Sequence, residues 1–162
     1  MPLTCSIINI MKNIDLAYIA GLFDGEGSIS LAKLGHHIWS KRSDFSLLIR
    51  IHNTRKDVLN WVAQVAGGKV YTASNHPPNG FNKVYQWLIT GPTGVALLIK
   101  LKPFIKIKNR QIDIAIAFQQ TKERVGAKRQ FRHGVPTEIT QKRLALYEQL
   151  KITNRKGTTP IY

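Results

Sequence analysis

Apolar and polar residues recur along the chain with two periods, which together predict five helices and four strands. The first apolar run with helical spacing begins after Asn13 or Asp15, both good N-cap residues, and we expect Gly25 and Gly27 to end that helix. Polar and apolar residues then alternate from Ser28 to Leu31, which predicts the first strand. One face of this strand should be buried, because successive side chains of a strand point to opposite faces.

The second predicted strand has the clearest alternation. One face carries Phe45, Leu47, Ile49 and Ile51, and the other carries Ser46, Leu48, Arg50 and His52. This pattern is typical of a strand that is packed on one side and solvated on the other. The remaining predicted elements are a helix over residues 54–66 that ends at Gly67 and Gly68, strands over 69–73 and 84–90, and helices over 91–101, through 112–118 and over 137–150.

This order of elements predicts an α+β fold. Helices should cover the apolar face of a four-stranded antiparallel sheet, and the opposite face should be polar. A polar sheet face is often no more than solvated surface. In a basic protein, however, it can also enter the major groove of DNA and read the edges of the bases.

Charge decides which partner to expect. The 162 residues include 24 Lys and Arg against 9 Asp and Glu, a net charge of +15, and the isoelectric point is about 10.3. Such an imbalance weakens a compact chain by self-repulsion, so a polyanion, above all nucleic acid, is the expected partner. A ribosomal protein or a membrane-surface binder would also fit the charge alone.

Cysteine content and hydropathy restrict the class of protein further. Cys5 is the only cysteine, which excludes an internal disulfide and a zinc site built on thiolates. Charges interrupt every apolar run well before the ~20 residues that a membrane span needs, and no signal peptide is evident. We therefore expect a soluble intracellular protein with no membrane partner.

Two acids stand at the end of the first predicted helix, in the segment Leu16–Ser28, LAYIAGLFDGEGS. Asp24 and Glu26 oppose the helix dipole there, and such local misfits are common at functional sites. Oxygen ligands of this kind suit Mg²⁺, which is often held by one or two carboxylates together with substrate phosphates. Solvated acids around a glycine cap are the simpler interpretation.

Small residues follow one side of the same helix at Ala17, Gly21 and Gly25. Such a strip lets two helix backbones approach closely, so the same helix of a second copy could pack there about a two-fold axis. Two copies of Glu26 would then meet beside the DNA backbone and frame a metal-dependent phosphodiester site. The alternative is that Gly21 packs under the sheet of its own chain.

The residues Ile19–Gly27, IAGLFDGEG, resemble the LAGLIDADG motif of homing endonucleases. The order of elements and the segment Pro103–Lys108 resemble that family as well, over roughly residues 13 to 122. The resemblance implies the αββαββα core with a DNA-binding sheet and C-terminal helices. Because the motif occurs once, it also implies a homodimer that cuts both strands of a long, partly palindromic double-stranded DNA site.

The resemblance also implies roles for single residues. Glu26 and the backbone carbonyl of Gly25 match metal ligands, and Asp24 matches a structural acid of the dimer interface, together with Ala17, Gly21 and Gly25. Lys108 matches the basic residue near the cleaved phosphates. Asn53 matches a residue that orients water and Arg55 a nearby basic residue, so the predicted catalytic set is Glu26, Lys108, Asn53 and Arg55.

The predicted DNA contacts come from the polar sheet face and from the loops beside it. Arg50 and Gln86 are suited to guanine and adenine edges, respectively. The full set is Ser28, Ser30, Ala32, Lys33, His37, Lys41, Arg42, Ser46, Leu48, Arg50, Thr72, Ser74, Lys83 and Gln86.

The predicted organisation is an extension over residues 1–12, an endonuclease core over 13–122, and a basic loop, helix and tail over 123–162. Mg²⁺ is the expected cofactor, with Mn²⁺ or Ca²⁺ as expected substitutes in binding, and no small-molecule cofactor is expected. An organelle and a prokaryotic cytoplasm are equally compatible locations. An intron splicing maturase on the same scaffold and a DNA-binding regulator without catalysis remain alternative functions.

Overall fold

The structure is a computed structural model that describes residues 12–34, 44–73, 82–123 and 137–155. The helices in these residues are α1 (Asn13–Glu26), α2 (Lys56–Ala66), α3 (Gly91–Leu101), α4 (Asn109–Glu123) and α5 (Thr137–Thr153). The strands are β1 (Gly27–Leu34), β2 (Asp44–Asn53), β3 (Lys69–Thr72) and β4 (Tyr85–Thr90). No helix in these four ranges is long and apolar enough to cross a bilayer.

The order of the elements and the α+β class are confirmed, but the end of α1 differs from the prediction. The helix continues through Gly25 and ends at Glu26, so Gly25 does not stop it. A glycine inside a helix costs roughly 1 kcal/mol relative to alanine, which does not suffice to end a helix that is packed along its length. Gly27 is the residue that ends it: its N–H donates to the carbonyl of Phe23, and a Cβ there would collide with Phe23.

The four strands form one antiparallel sheet in the order β1-β2-β4-β3. On β2 the predicted alternation is confirmed, since Phe45, Leu47, Ile49 and Ile51 are at most 3% exposed and the residues between them are half-buried. In the β3–β4 pair, Lys69 lies opposite Leu88, Val70 opposite Trp87, Tyr71 opposite Gln86 and Thr72 opposite Tyr85.

The chain divides into two compact units, the first formed by the described parts of Met1–Ser28 and Ile49–Asn109. Its core includes Leu59 and Val62 of α2, Leu97 and Leu98 of α3, and Trp87 of β4. The indole N–H of Trp87 donates to the carbonyl of Gly67 at 2.8 Å. Gly67 and Gly68 adopt φ values of +77° and +85°, so the predicted glycine stop of α2 is confirmed.

The second unit contains the described parts of Ile29–Leu48 and of Arg110–Tyr162. Arg143 of α5 is 4% exposed and donates to the hydroxyl and carbonyl oxygens of Thr121 in α4, at 3.0 and 3.1 Å. Asn154, just after α5, donates to the carbonyl of Ile29 in β1 at 2.8 Å. These bonds satisfy polar groups that would otherwise be costly to bury, and they fix the C-terminal helix within its unit.

Candidate functional site

The carboxylate of Asp24 fixes the turn between α3 and α4. It accepts the backbone N–H groups of three consecutive residues, Lys106 at 2.7 Å, Ile107 at 3.3 Å and Lys108 at 3.2 Å. Bonds from backbone N–H groups to an ionised acceptor are stronger than neutral ones. Asp24 therefore has a structural role within its own chain, joining two segments that are 82 residues apart or more.

The same turn brings Lys108 to the end of α1. Its Nζ donates to the backbone carbonyl of Asp24 at 2.5 Å, and the side chain is half-buried. That carbonyl belongs to the last turn of α1, where carbonyls have no partner within the helix and a lysine completes them favourably. The ammonium group thus lies beside the backbone of Gly25 and Glu26.

Glu26 is the last residue of α1, and it is exposed. Its carboxylate and the carbonyl of Gly25 are oxygen ligands of the kind that Mg²⁺ prefers, so the residues present fit a divalent metal. In the described residues no group of three or more His, Cys, Asp or Glu is placed to hold a metal ion.

The small-residue strip of α1 faces open space. Ala17, Gly21 and Gly25 are exposed, and a Cβ added at Gly21 or Gly25 would meet no atom of the described residues within 4 Å. The interpretation that Gly21 packs under its own sheet is therefore wrong. Within the described residues, side-chain packing requires a glycine at neither position. The contact of this strip with a second copy remains a prediction.

The other predicted catalytic pair forms a local cluster. The side-chain oxygen of Asn53 accepts the backbone N–H of Arg55 at 2.8 Å. The guanidinium of Arg55 donates through Nε and Nη2 to Asp57, at 3.0 and 2.6 Å, with both side chains well exposed. This hydrogen bond, aided by the opposite charge, lowers the pKa of Asp57 to about 2 and raises the pKa of Arg55.

The polar faces of the strands present most of the predicted DNA contacts. Half-buried positions that alternate with buried ones are Ser28, Ser30, Ala32, Ser46, Leu48, Arg50 and Gln86. Gln86 of β4 also accepts a hydrogen bond from His52 of β2, with Nε2 and Oε1 3.0 Å apart. Lys83 is exposed just before β4.

Two predicted contacts lie on the other face of their strands. Thr72 is opposite Tyr85, which has the strand parity of the buried Trp87, so its placement on the polar face is wrong. Lys33 has the parity of the buried Leu31, and its Nζ lies 5.2 Å from the ring centre of Tyr147 in α5. The DNA-binding role of Thr72 and Lys33 remains a prediction, and their position on the core side of the sheet does not support it.

The register of β3 instead brings Lys69 and Tyr71 to the polar face, where sequence reasoning missed them. Both are exposed, and Tyr71 retains 46% of its surface. In a strand of four residues, with three exposed and one half-buried, alternation gives no signal, so only the pairing with β4 identifies the face. The predicted contacts His37, Lys41, Arg42 and Ser74 lie outside the described residues.

Comparison with known proteins places this architecture. The structure is similar to the archaeal intron-encoded homing endonuclease I-Vdi141I complexed with DNA, with a TM-score of 0.72, 16% identity, and 94% of this chain and 91% of that chain covered. The structure is also similar to the homing endonuclease I-CvuI in complex with the I-CreI target, with a TM-score of 0.68 and 15% identity. That match covers 91% of this chain and 87% of I-CvuI.

The LAGLIDADG homing endonuclease I-SmaMI bound to cleaved DNA is also similar, with a TM-score of 0.63 and 14% identity. The match includes 90% of this chain but 45% of that chain. No protein-family profile and no curated protein sequence matches the chain. The agreement of the folds over most of both chains with I-Vdi141I and I-CvuI shows that this chain has the fold of the LAGLIDADG homing endonucleases.

Proposed function

We propose that the chain is a site-specific DNA endonuclease that acts as a homodimer on double-stranded DNA with Mg²⁺. The observation that carries the proposal is the end of α1, where Glu26 is exposed and Lys108 is bonded to the carbonyl of Asp24, two residues earlier in the helix. The similar structures support it, because I-Vdi141I is a homing endonuclease complexed with DNA and I-SmaMI is bound to cleaved DNA. The net charge of +15 suits a phosphate backbone.

The reaction is the hydrolysis of one phosphodiester on each strand. The oxygen of a water molecule bonds to phosphorus, the bond from phosphorus to the 3′-oxygen breaks, and that oxygen takes a proton. Divalent ions bound by Glu26 and the Gly25 carbonyl would activate the water and offset charge on the phosphate and the leaving oxygen. Lys108 offsets the negative charge that develops on the phosphoryl oxygens, from a position that the Asp24 carbonyl fixes in advance.

A second copy completes the site. Each chain contributes one exposed carboxylate at the end of α1, that of Glu26, because the carboxylate of Asp24 already accepts three backbone N–H groups. The open strip at Gly21 and Gly25 lets two α1 helices meet so that both copies of Glu26 approach the same stretch of DNA. The comparisons are compatible with two copies. This chain corresponds to 91% of I-Vdi141I but to 45% of I-SmaMI, so two copies of it would match the length of I-SmaMI.

A cleavage assay tests the proposal and separates the alternatives. The protein is incubated with Mg²⁺ and a randomised duplex library, together with the DNA that flanks its own gene. An endonuclease yields products cut on both strands at one sequence. Enrichment of a DNA sequence without cutting would favour a regulator, and binding of intron RNA alone would favour a maturase; either result would overturn the proposal. Adding EDTA should abolish cutting, and activity that persists would contradict the metal requirement.

Gly21→Leu tests the dimer. A Cβ at this position meets no atom of the described residues within 4 Å, and leucine favours the helix more than glycine does, so the chain should fold normally. Blocked helix pairing should shift sedimentation from dimer to monomer and reduce double-strand cutting at least about tenfold. Gln64→Leu, at an exposed position of α2, is the matched control and should remain a dimer. A Gly21→Leu protein that still sediments as a dimer and cuts both strands would disprove the interface.

A further inference from the structure

Three side chains form a row across the polar face of the sheet in the first unit. Tyr71 of β3 lies directly opposite Gln86 of β4, and Gln86 is hydrogen-bonded to His52 of β2, with Nε2 and Oε1 3.0 Å apart. Since β2, β4 and β3 are neighbours in the sheet, the row runs perpendicular to the strands.

The row lies on the side away from the core. Ile51 and Trp87, which neighbour His52 and Gln86 in sequence, are 0% and 1% exposed, whereas Tyr71 is 46% exposed. Strands are about 4.8 Å apart, so three of them span roughly 10 Å. That width fits the major groove of B-DNA, which is about 12 Å wide.

His52 determines which way the amide of Gln86 points. A glutamine amide can be turned by 180°, which exchanges its acceptor oxygen and its donor NH₂ group. A ring N–H of His52 bonds to the oxygen, so the amide is held in one orientation. Its NH₂ group then points away from His52, and the oxygen keeps a second lone pair for another donor.

An adenine edge matches this fixed order of groups. Adenine presents N7 as an acceptor and N6–H₂ as a donor in the major groove, and glutamine binds both together. The thymine of the same base pair presents a methyl group there, which apolar side-chain surface recognises. The ring of Tyr71 stands directly across from Gln86, at the spacing of a cross-strand pair, and supplies such a surface.

We propose that His52, Gln86 and Tyr71 read one A·T base pair in each half of the DNA target. Gln86 contacts the adenine, Tyr71 contacts the thymine methyl, and His52 is a positioning residue that acts through Gln86. This inference rests on the proposed function, and it adds two residues that neither strand alternation nor the resemblance singled out as DNA contacts.

The experiment is a binding selection from randomised duplex DNA in Ca²⁺, in which cutting is not required. Gln86→Ala should relax the preference for A·T about tenfold to a hundredfold at one base pair per half-site and leave the other positions unchanged. His52→Ala should relax the preference for A·T at the same base pair, but by a smaller factor than Gln86→Ala. His52→Gln should restore most of the preference, because its amide NH₂ can also donate to Gln86.

Combining His52→Ala with Gln86→Ala should relax the preference no further than Gln86→Ala alone, since His52 acts only through Gln86. Replacing the thymine of that pair by deoxyuridine removes only the methyl group. This change should weaken binding of the wild type several-fold and leave binding of Tyr71→Ala unaffected. Gln64→Ala, at an exposed position of α2, is the control and should leave every position unchanged.

A His52→Ala protein that keeps the full wild-type preference, or that weakens all positions equally, would overturn the positioning role. Equal sensitivity of the wild type and Tyr71→Ala to deoxyuridine would overturn the thymine contact. These results would leave the proposed function intact as long as the wild type selects and cuts a sequence. A wild type that selects no DNA sequence at all would overturn the proposed function and the A·T reader with it.

Discussion

The resemblance assigns catalytic roles to two regions of the first unit. One region is held by bonds to residues far away in sequence, and the other makes bonds to near neighbours. At the end of α1, Asp24 binds a turn more than 80 residues away in sequence, and Lys108 is brought back to the Asp24 carbonyl. At the end of β2, within the described residues, the side chains of Asn53 and Arg55 bond to groups two residues away. The first region is held by tertiary contacts and leaves one acid, Glu26, exposed.

This difference indicates where preorganisation is available. A charge that the fold has already positioned stabilises a transition state without reorganising, whereas an exposed ion pair must first exchange its partner. The bonds of Asp24 hold Lys108 near the proposed metal ligands before DNA arrives. Arg55 has to leave Asp57 before it can contact a phosphate. Substitutions at the end of α1 should therefore affect cutting much more than substitutions after β2.

Glu26→Gln should have the largest effect. It removes the negative charge of a proposed metal ligand but changes no packing, since Glu26 is exposed. We expect the rate of single-turnover cleavage to fall at least about a thousandfold, which is roughly 4 kcal/mol of transition-state stabilisation. Affinity for the DNA target should stay within a few-fold of the wild type.

Glu148→Gln, the same change at an exposed position of α5, controls for the lost charge and should cut normally. If Glu26→Gln cut saturating DNA at the wild-type rate, the metal assignment would be wrong.

Lys108→Met should come next. The substitution keeps most of the side-chain volume and removes the ammonium group next to the end of α1. Cleavage of saturating target should fall about a hundredfold, because one positioned charge on the phosphoryl oxygens is lost. Lys106→Met is the matched control, since it keeps the backbone N–H that binds Asp24. Equal losses in both variants would reduce Lys108 to one member of a row of phosphate-neutralising lysines.

Asp24→Ala should act mainly on stability. It leaves the backbone N–H groups of residues 106–108 without their acceptor, which water can replace only in part. We expect a loss of about 2 kcal/mol in the free energy of unfolding, measured by urea denaturation, and slower cutting because Lys108 is less well held. Asp24→Asn keeps one acceptor oxygen and should lose less. An Asp24→Ala protein as stable as the wild type would contradict the structural role.

The pair after β2 should show the smallest effects. Asp57→Asn frees Arg55, so DNA affinity at low salt should rise a few-fold. Arg55→Ala should lower that affinity and reduce the slope of log affinity against log salt by about 1. The two substitutions should therefore change DNA affinity in opposite directions. A loss of affinity in both variants would contradict the idea that Arg55 leaves Asp57 to bind a phosphate.

The titration of Asp57 provides an independent check of the same pair. Its pKa of about 2 lies below the ordinary value of 3.8, chiefly because of the hydrogen bond from Arg55. The pair therefore stabilises the folded state fully above about pH 4, and this contribution is lost as the pH falls towards 2. In Arg55→Ala, the carboxyl carbon of Asp57 should titrate by NMR near 3.8 instead. An unchanged midpoint would show that the pair does not form in solution.

Local chemistry in the sequence determined most of the elements. The alternation from Phe45 to His52 predicted the buried face of β2, because one face of that strand is buried in the core and the other is partly exposed to solvent. Gly67 and Gly68 marked the end of α2 because their positive φ angles exclude most other residues. The acids at 24 and 26 identified the candidate site, since they break the charge pattern that a helix end prefers.

Tertiary structure alone decided the rest. The register of β3 placed Tyr71, and not Thr72, on the polar face, because a strand that is exposed nearly throughout carries no alternation and one residue of slip exchanges its faces. The bonds from Asp24 to residues 106–108 and from His52 to Gln86 join positions far apart in the chain. No local pattern encodes such pairs, since each partner alone looks like an ordinary polar residue, and their meeting depends on how the whole unit packs.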